Sequence, residues 1–303
     1  MISRRSYGDL IWIDLESPTH KEVQGLVDEF GLAHLVAEEL LLPSTKPRIE
    51  IYQEYIYVIL HFPVLGRKHA TLEQETDFVI GKNFIITTHY DTIDPLHKFA
   101  KVFEVDSLLD KSGIATHAGF LFFYMLKYLY REVEHDIDHA RRDLYYIEEH
   151  IFSGHEVEMV KAISRSARDL LNLRQTIEPH REVLRTLESD AARFFGDQFA
   201  PYLRALASEY YRIHNHIMRN ADSLHELRET NDSLLSAKEN ETMRVLTIMA
   251  LLTFPLSLMV AILQIDTVHN PVRGLPYDFW IILGAVVIVG TTMILYFKRR
   301  GWL

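Results

Sequence analysis

Apolar and polar positions alternate in three different ways along the chain. Up to about residue 115, short apolar runs are separated by polar or amphipathic stretches. DLIWIDL (residues 9–15), IYVILHF (56–62), TDFVIGK (76–82) and NFIITTH (83–89) are rich in β-branched and aromatic residues and end in turn formers, which predicts strands. THKEVQGLVDEFGL, between the first two, has helical spacing, and Ser17 with Pro18 gives it a start signal. Gly81, Lys82 and Asn83 form the turn of a predicted hairpin. From about residue 118 to 263 the pattern is helical, with breaks at Ser153-Gly154 and between Gly196 and Pro201. The third helical run starts near Ala200 and, after Pro201 in its first turn, meets no further Gly or Pro until Pro255, so a single long helix is expected.

The last quarter is different in kind. VLTIMALLTFPLSLMVAIL (245–263) and FWIILGAVVIVGTTMILYF (279–297) are each 19 residues without a charge. Rising about 1.5 Å per residue, either would cross a hydrocarbon core of roughly 30 Å as a helix. Lys238 and Arg244 precede the first run, and Lys298, Arg299 and Arg300 follow the second. Both ends of the chain are therefore expected on the cytoplasmic side of the cell (inner) membrane, with residues 264–278 as the outside loop. Two spans form a hairpin with no room for a pore inside it, so transport would need several copies around an axis. The expected fold is an α+β membrane protein. It has a cytoplasmic α/β domain over residues 1–115, a long-helix and stalk region over 116–243, and a two-helix membrane domain over 244–303.

Composition narrows the partners. Acids outnumber bases, 42 to 32, for a formal charge of −10, which disfavours nucleic acid and suits cations. No cysteine is present, so any metal must be held by oxygen or imidazole. The first residues lack the apolar core of a cleavable signal peptide. There is no Gly-rich phosphate loop, no Ser-centred nucleophile elbow and no other catalytic constellation, so the reading is of a protein that is not an enzyme and needs no cofactor. EHDIDHARRD (134–143) sets His135 and His139 four apart beside Asp136 and Asp138. The spacing is that of a zinc pair, but the segment is charged throughout and reads more simply as a solvated helix face.

The first apolar run has a distinctive stripe. Asn240, Thr247, Phe254 and Ala261 recur every seven residues, as do Met243, Ala250, Ser257 and Gln264, and the two rows adjoin on a helix. Small and weakly polar residues on one stripe fit either close helix packing or a pore lining. Pro255 cannot donate to the carbonyl of Leu251 and should loosen the helix there. Phe254, one residue earlier, would supply a hydrophobic constriction if several copies met.

These features resemble the CorA-type divalent cation channels, the family that includes the CorA and ZntB proteins. The resemblance rests on WIDL (12–15), HLVAEELLLPSTKPRIEIYQEYIYVIL (34–60), FVIGKNFIITTH (78–89), NETMRVLTIMALLTFPLSLMVAIL (240–263) and the ending YFKRRGWL. It implies a funnel-shaped homopentamer in the lipid bilayer that passes Mg2+, with Zn2+, Co2+ or Ni2+ behind it, down the electrochemical gradient. It also implies a pore lined by Asn240, Met243, Leu246, Phe254 and Ser257, with Ala261 on the same stripe.

The sequence departs from the family at the mouth. Gln264, Ile265 and Asp266 stand where members carry Gly-Met-Asn, and the loop reads HNPVRGLP, with Arg273 in it, in place of an acidic Met-Pro-Glu-Leu-like segment. YLRALASEY (202–210) resembles the family's Tyr-Leu-Arg-Asp stretch, but Ala205 replaces an Asp that in some members helps hold a regulatory ion. Asp266 is the candidate metal ligand, because a ring of carboxylates at a pore mouth attracts cations and hard divalent ions prefer oxygen. Its other reading is a loop cap that bonds its own backbone. A pore for another ion, a pore opened by membrane tension and a non-conducting sensor or scaffold all remain open on the residues alone.

Overall fold

Strands form where the β-branched runs lie, and two more join them at the edges. The computed structural model describes residues 2–7, 9–64, 73–90, 96, 99, 117–265 and 277–302. Its strands are β1 (Ile2–Tyr7), β2 (Leu10–Glu16), β3 (Arg48–Ile51), β4 (Tyr55–Pro63), β5 (Glu73–Gly81) and β6 (Phe84–His89). They make one sheet in the order β1-β2-β6-β5-β4-β3. β2 and β6 run parallel, and every other neighbouring pair is antiparallel. β5 and β6 form the hairpin expected at Lys82-Asn83.

Successive side chains of a strand point to opposite faces of the sheet, and here both faces are covered. One face carries Ile13, Leu15, Tyr55, Tyr57, Ile59, Val79 and Ile86, clustered with Val23, Leu26, Val36 and Leu40. Those partners come from helix α1 (His20–Phe30), from α2 (His34–Glu39) and from the residue after α2. Helix α1 starts at a capping box in which Thr19 and Glu22 satisfy each other's backbone donors, and it ends at Gly31 in the left-handed conformation (φ 63°). On the other face Phe78 meets Phe122 edge to face, and Phe62 meets Tyr130. Burial on both sides is why β4 reads as a continuous apolar run and not as an alternation.

Phe122 and Tyr130 lie on helix α3 (Ala118–Phe152), which is followed by α4 (Glu156–Ile177), α5 (His180–Phe195), a turn of 3-10 helix (Asp197–Phe199) and α6 (Ala200–Leu263). α3 and α4 are joined through Gly154 (φ 90°), the break expected from the sequence. Where α3 begins, His117 accepts the Gly119 N–H and stacks on Phe195, with Phe199 against its edge. Burial in this aromatic nest lowers the His117 pKa to about 4, so it stays neutral. The first part of α6 buries Leu203, Leu206, Tyr210, Ile213, Ile217 and Leu224 at helical spacing, and its Arg212 pairs with Glu134 of α3.

Contacts divide the chain into two units, Met1–Arg228 and Glu229–Leu303. The second holds the remainder of α6 and helix α7 (Asp278–Arg299). Gly301 (φ 70°) turns the chain after α7, so that Trp302 donates its N–H to the Phe297 carbonyl and stacks on the Phe297 ring. The two apolar runs of the sequence fall inside α6 and α7. Within the most apolar window of each helix only 6% of residues are buried, so both present side chains that need lipid or another protein surface.

Candidate functional site

The apolar part of α6 has two distinguishable faces. Ile248 is 3% exposed, and Leu252, Leu256, Met259 and Leu263 are half-buried. This is the face turned to α7: a Cβ built on Gly290 would lie 3.5 Å from Leu256 Cδ1. Asn240, Met243, Leu246, Phe254, Ser257 and Ala261, the residues expected to line a pore, are all exposed, with Phe254 at 78%. At about 100° of rotation per residue the two sets centre on nearly opposite sides of the helix, roughly 175° apart. The expected pore stripe is thus the face that the hairpin itself leaves without a partner.

Two hydroxyls beside the apolar part of α6 are satisfied within the helix. Thr242 and Thr247 donate their hydroxyls to the carbonyls of Lys238 and Met243, four residues back. α6 continues through Pro255 without a break, although the missing N–H of the proline leaves the Leu251 carbonyl without its helical donor.

At the end of α6 the amides of Gln264 and Ile265 still bond back, to Val260 and Ile262, and both side chains are exposed. Gln264 lines a cleft of about 370 Å³ together with Leu263, Asp278 and Ile282. Asp278 opens the first turn of α7, where its Oδ1 accepts the Phe279 N–H at 2.7 Å. The structure therefore brings an amide and a carboxylate to one opening from opposite ends of the loop. Spacing could not have paired them, because they are fourteen positions apart. Asp266 and Arg273 lie outside the described residues.

Among the described residues no group of three or more His, Asp or Glu side chains is placed to hold a metal ion. His135 and His139 are exposed on α3, while Val133, Ile137 and Ala140 face inward. The sequence reading passed over a group of acids on β5, Glu73, Glu75 and Asp77, which its alternation could have flagged as sharing one face.

Comparison with known proteins gives one consistent result. A family model described as "CorA-like Mg2+ transporter protein" matches residues 7–299. The cobalt/magnesium transport protein CorA of Thermotoga maritima is 25% identical over 96% of this chain and 83% of its own length. The putative metal ion transporter YfjQ of Bacillus subtilis is 23% identical over 96% of this chain and 89% of its own. Among solved structures, the complete CorA magnesium transporter from Methanocaldococcus jannaschii superposes with a TM-score of 0.84 at 19% identity, covering 100% of this chain and 94% of that one. The cytoplasmic domain of ZntB from Vibrio parahaemolyticus matches 75% of this chain, and 88% of that domain, with a TM-score of 0.61 at 11% identity.

Proposed function

The chain belongs to the CorA-like Mg2+ transporter family, and from that premise we propose that it is a homo-oligomeric, five-copy channel passing Mg2+ or a related divalent ion down its gradient. As in the family, the protein is a membrane transporter and not an enzyme. The unpartnered stripe on α6 is the observation that carries the finer reading. A face that α7 does not cover, bearing Asn240, Met243, Leu246, Phe254, Ser257 and Ala261, has the position a shared conduit needs. Small and weakly polar side chains there suit hydrated ions, and a ring of Phe254 would close the conduit by dewetting. Both termini lie in the cytoplasm in this reading, with the sheet domain as its cytoplasmic part and residues 264–278 outside. Gln264, Ile265 and Asp266 form the mouth, where the Asp266 carboxylates attract cations. The transported ion is the substrate, and no resident cofactor is needed.

The mouth sequence also supports a second reading of the same channel, one with altered selectivity, because Gln-Ile-Asp stands in place of Gly-Met-Asn. Uptake of magnesium, zinc and sodium into proteoliposomes, native against Asp266→Ala, separates the possibilities. Magnesium entry that the substitution abolishes supports the magnesium channel. Passage of another ion with magnesium excluded supports the second reading. If no ion moves under any gradient, both fail and a non-conducting sensor or scaffold is left.

A further inference from the structure

Glu73, Glu75 and Asp77 occupy alternate positions of β5 and so share one face of the sheet. The β4 register sets His61 directly across from Glu75, and Tyr57 lies diagonal to Asp77. Their strand neighbours Ile59 and Val79 on the same face belong to the core under α1 and α2. Two acids thus stand at core-facing positions: Asp77 is fully buried, Glu75 is 8% exposed and His61 4%.

These groups contact one another in a chain. His61 Nδ1 is 3.3 Å from Glu73 Oε1, and its Nε2 is 3.3 Å from Glu75 Oε2, close as ion pairs though the second is not an aligned hydrogen bond. Glu75 Oε2 accepts the backbone N–H of Ser44 at 2.6 Å, from the segment between α2 and β3. Tyr57 donates its hydroxyl to Asp77 Oδ2 at 3.2 Å. Glu75 Oε1 and Asp77 Oδ1 are buried with no hydrogen-bond partner among the described residues. Neighbouring buried carboxylates with unmatched oxygens are stable only when one of them carries a proton.

The surroundings supply little positive charge. Glu39 of α2 approaches from one side, with Arg48 engaged by Glu39 and Glu50. Tyr90, after β6, donates to the Glu39 carbonyl. Thr176 of α4 donates to Glu73. From α5, His180 contacts the His61 carbonyl through Nε2 at 2.8 Å and Tyr130 of α3 through Nδ1. His180 is itself kept neutral, its pKa lowered to about 4 by burial. Tyr57 and Tyr90 are held as neutral phenols by burial and the nearby carboxylates. Burial first, then the charge of Glu75, pushes the Asp77 carboxyl well above its usual range, against the opposing Tyr57 hydrogen bond. For His61 burial opposes the charged form, but Glu75 and Glu73 outweigh it and raise its pKa.

We infer that His61, Glu75 and Asp77 form a proton-binding site inside the sheet domain, which holds the Ser44 segment against the sheet when protonated and loosens it when the proton leaves. The sign is the same for both titrating groups. The stabilisation from His61 is complete below the unfolded value of 6.5 and is lost as pH rises through its raised folded value. The cost of burying Asp77 grows as pH rises from 3.8 toward its raised value. Rising cytoplasmic pH therefore weakens the domain. The site stands apart from the transport reading, whereas its use to regulate transport rests on that reading.

The test uses the full chain in detergent micelles, with thermal melts and hydrogen exchange at about pH 6 and about pH 8.5. The native melting temperature should fall by about 3 °C or more across that range, and the peptide holding Ser44 should lose protection beyond the intrinsic rise in exchange rate. Glu75→Gln removes one of the two carboxylate partners of His61 and the like charge beside Asp77, and should at least halve the slope. Asp77→Asn keeps the size of the side chain and removes its proton, so it should flatten the same profile if Glu75→Gln fails to fold. Slopes and Ser44 exchange that match the native protein in both variants overturn the proton site. Magnesium uptake at two internal pH values then tests regulation. A pH response present in the native chain and lost in Asp77→Asn supports it, and equal responses in both refute it. Absence of uptake at any pH counts against transport and leaves the melting result to decide the site.

Discussion

Asp14 and Asp77 sit in one sheet and are driven to opposite charge states by what faces them. Asp14 of β2 points to the face covered by α3. There it accepts the Thr87 hydroxyl at 2.5 Å, while Thr87 accepts the Trp12 indole N–H at 2.9 Å. Burial would raise its pKa, but the hydrogen bond and charge of His89, with Thr87 and Arg5, outweigh it and lower the value below 3.8. Its stabilisation is present above pH 3.8 and is lost as pH falls through the lowered folded value. Asp14→Asn should cost about 1–3 kcal/mol at neutral pH and progressively less in strong acid, as measured by denaturant unfolding at the two extremes. An equal loss at both pH values would mean that the charge of Asp14 contributes nothing. Asn231 of α6 poses the reverse problem, because it is fully buried and neither of its amide atoms has a hydrogen-bond partner among the described residues. Asn231→Leu should raise stability by about 1 kcal/mol, since a desolvated, unmatched amide costs more than an apolar side chain of similar volume. A lower melting temperature for that variant would show that the amide is satisfied in the assembled protein.

Among the elements, α6 and α7 meet at a contact between Leu256 and Gly290. A Cβ added at Gly290 would already be in contact with Leu256, 3.5 Å from its Cδ1, so a side chain longer than alanine there must displace the Leu256 side chain, whereas a Cβ on Gly284 would meet nothing within 4 Å. Gly290→Leu should therefore lower the thermal stability of the membrane hairpin, by about 1–3 kcal/mol for an overpacked contact, while Gly284→Leu should be close to neutral in that hairpin. Equal effects would mean that this crossing is not a packing contact. The sequence made the elements legible wherever one physical signal dominated. Continuous apolar runs marked β2, β4, β5 and β6, Gly154 and Gly196 marked two helix ends, and the uncharged runs marked the spans. It did not reveal β1 or β3, because ISRRSY and RIEI are edge strands paired on one side only and carry polar residues accordingly. The division of α4 from α5 at Pro179 was also missed, because that break has no glycine and the apolar spacing continues across it. The β5 acids contradict binary patterning, and only the register that sets His61 opposite Glu75 makes sense of them.

For the whole molecule, the open question is which surface of α6 meets another copy, and the exposed stripe gives a specific expectation. A helix with one face against α7 and the other bare can reach lipid, a neighbouring copy or a central conduit with the bare face. The proposed channel commits that face to the axis. Because the chain has no cysteine, single introduced thiols report proximity without background. Ser257→Cys, on the bare stripe, should form dimers on mild oxidation or with a short bis-maleimide, since equivalent residues around an axis approach one another. Leu252→Cys, on the side turned to α7, should stay monomeric on a denaturing gel under the same treatment. The reverse outcome would place the neighbouring copy on the α7 side and remove Phe254 and Ser257 from any conduit. If both thiols stay unlinked in membranes, α6 faces lipid, and a shared pore through it is excluded. With Ser257→Cys linked, covalent closure should also block ion uptake and reduction should restore it. That reversal would tie the bare face to conduction, because a packing surface away from the ion path would tolerate the link.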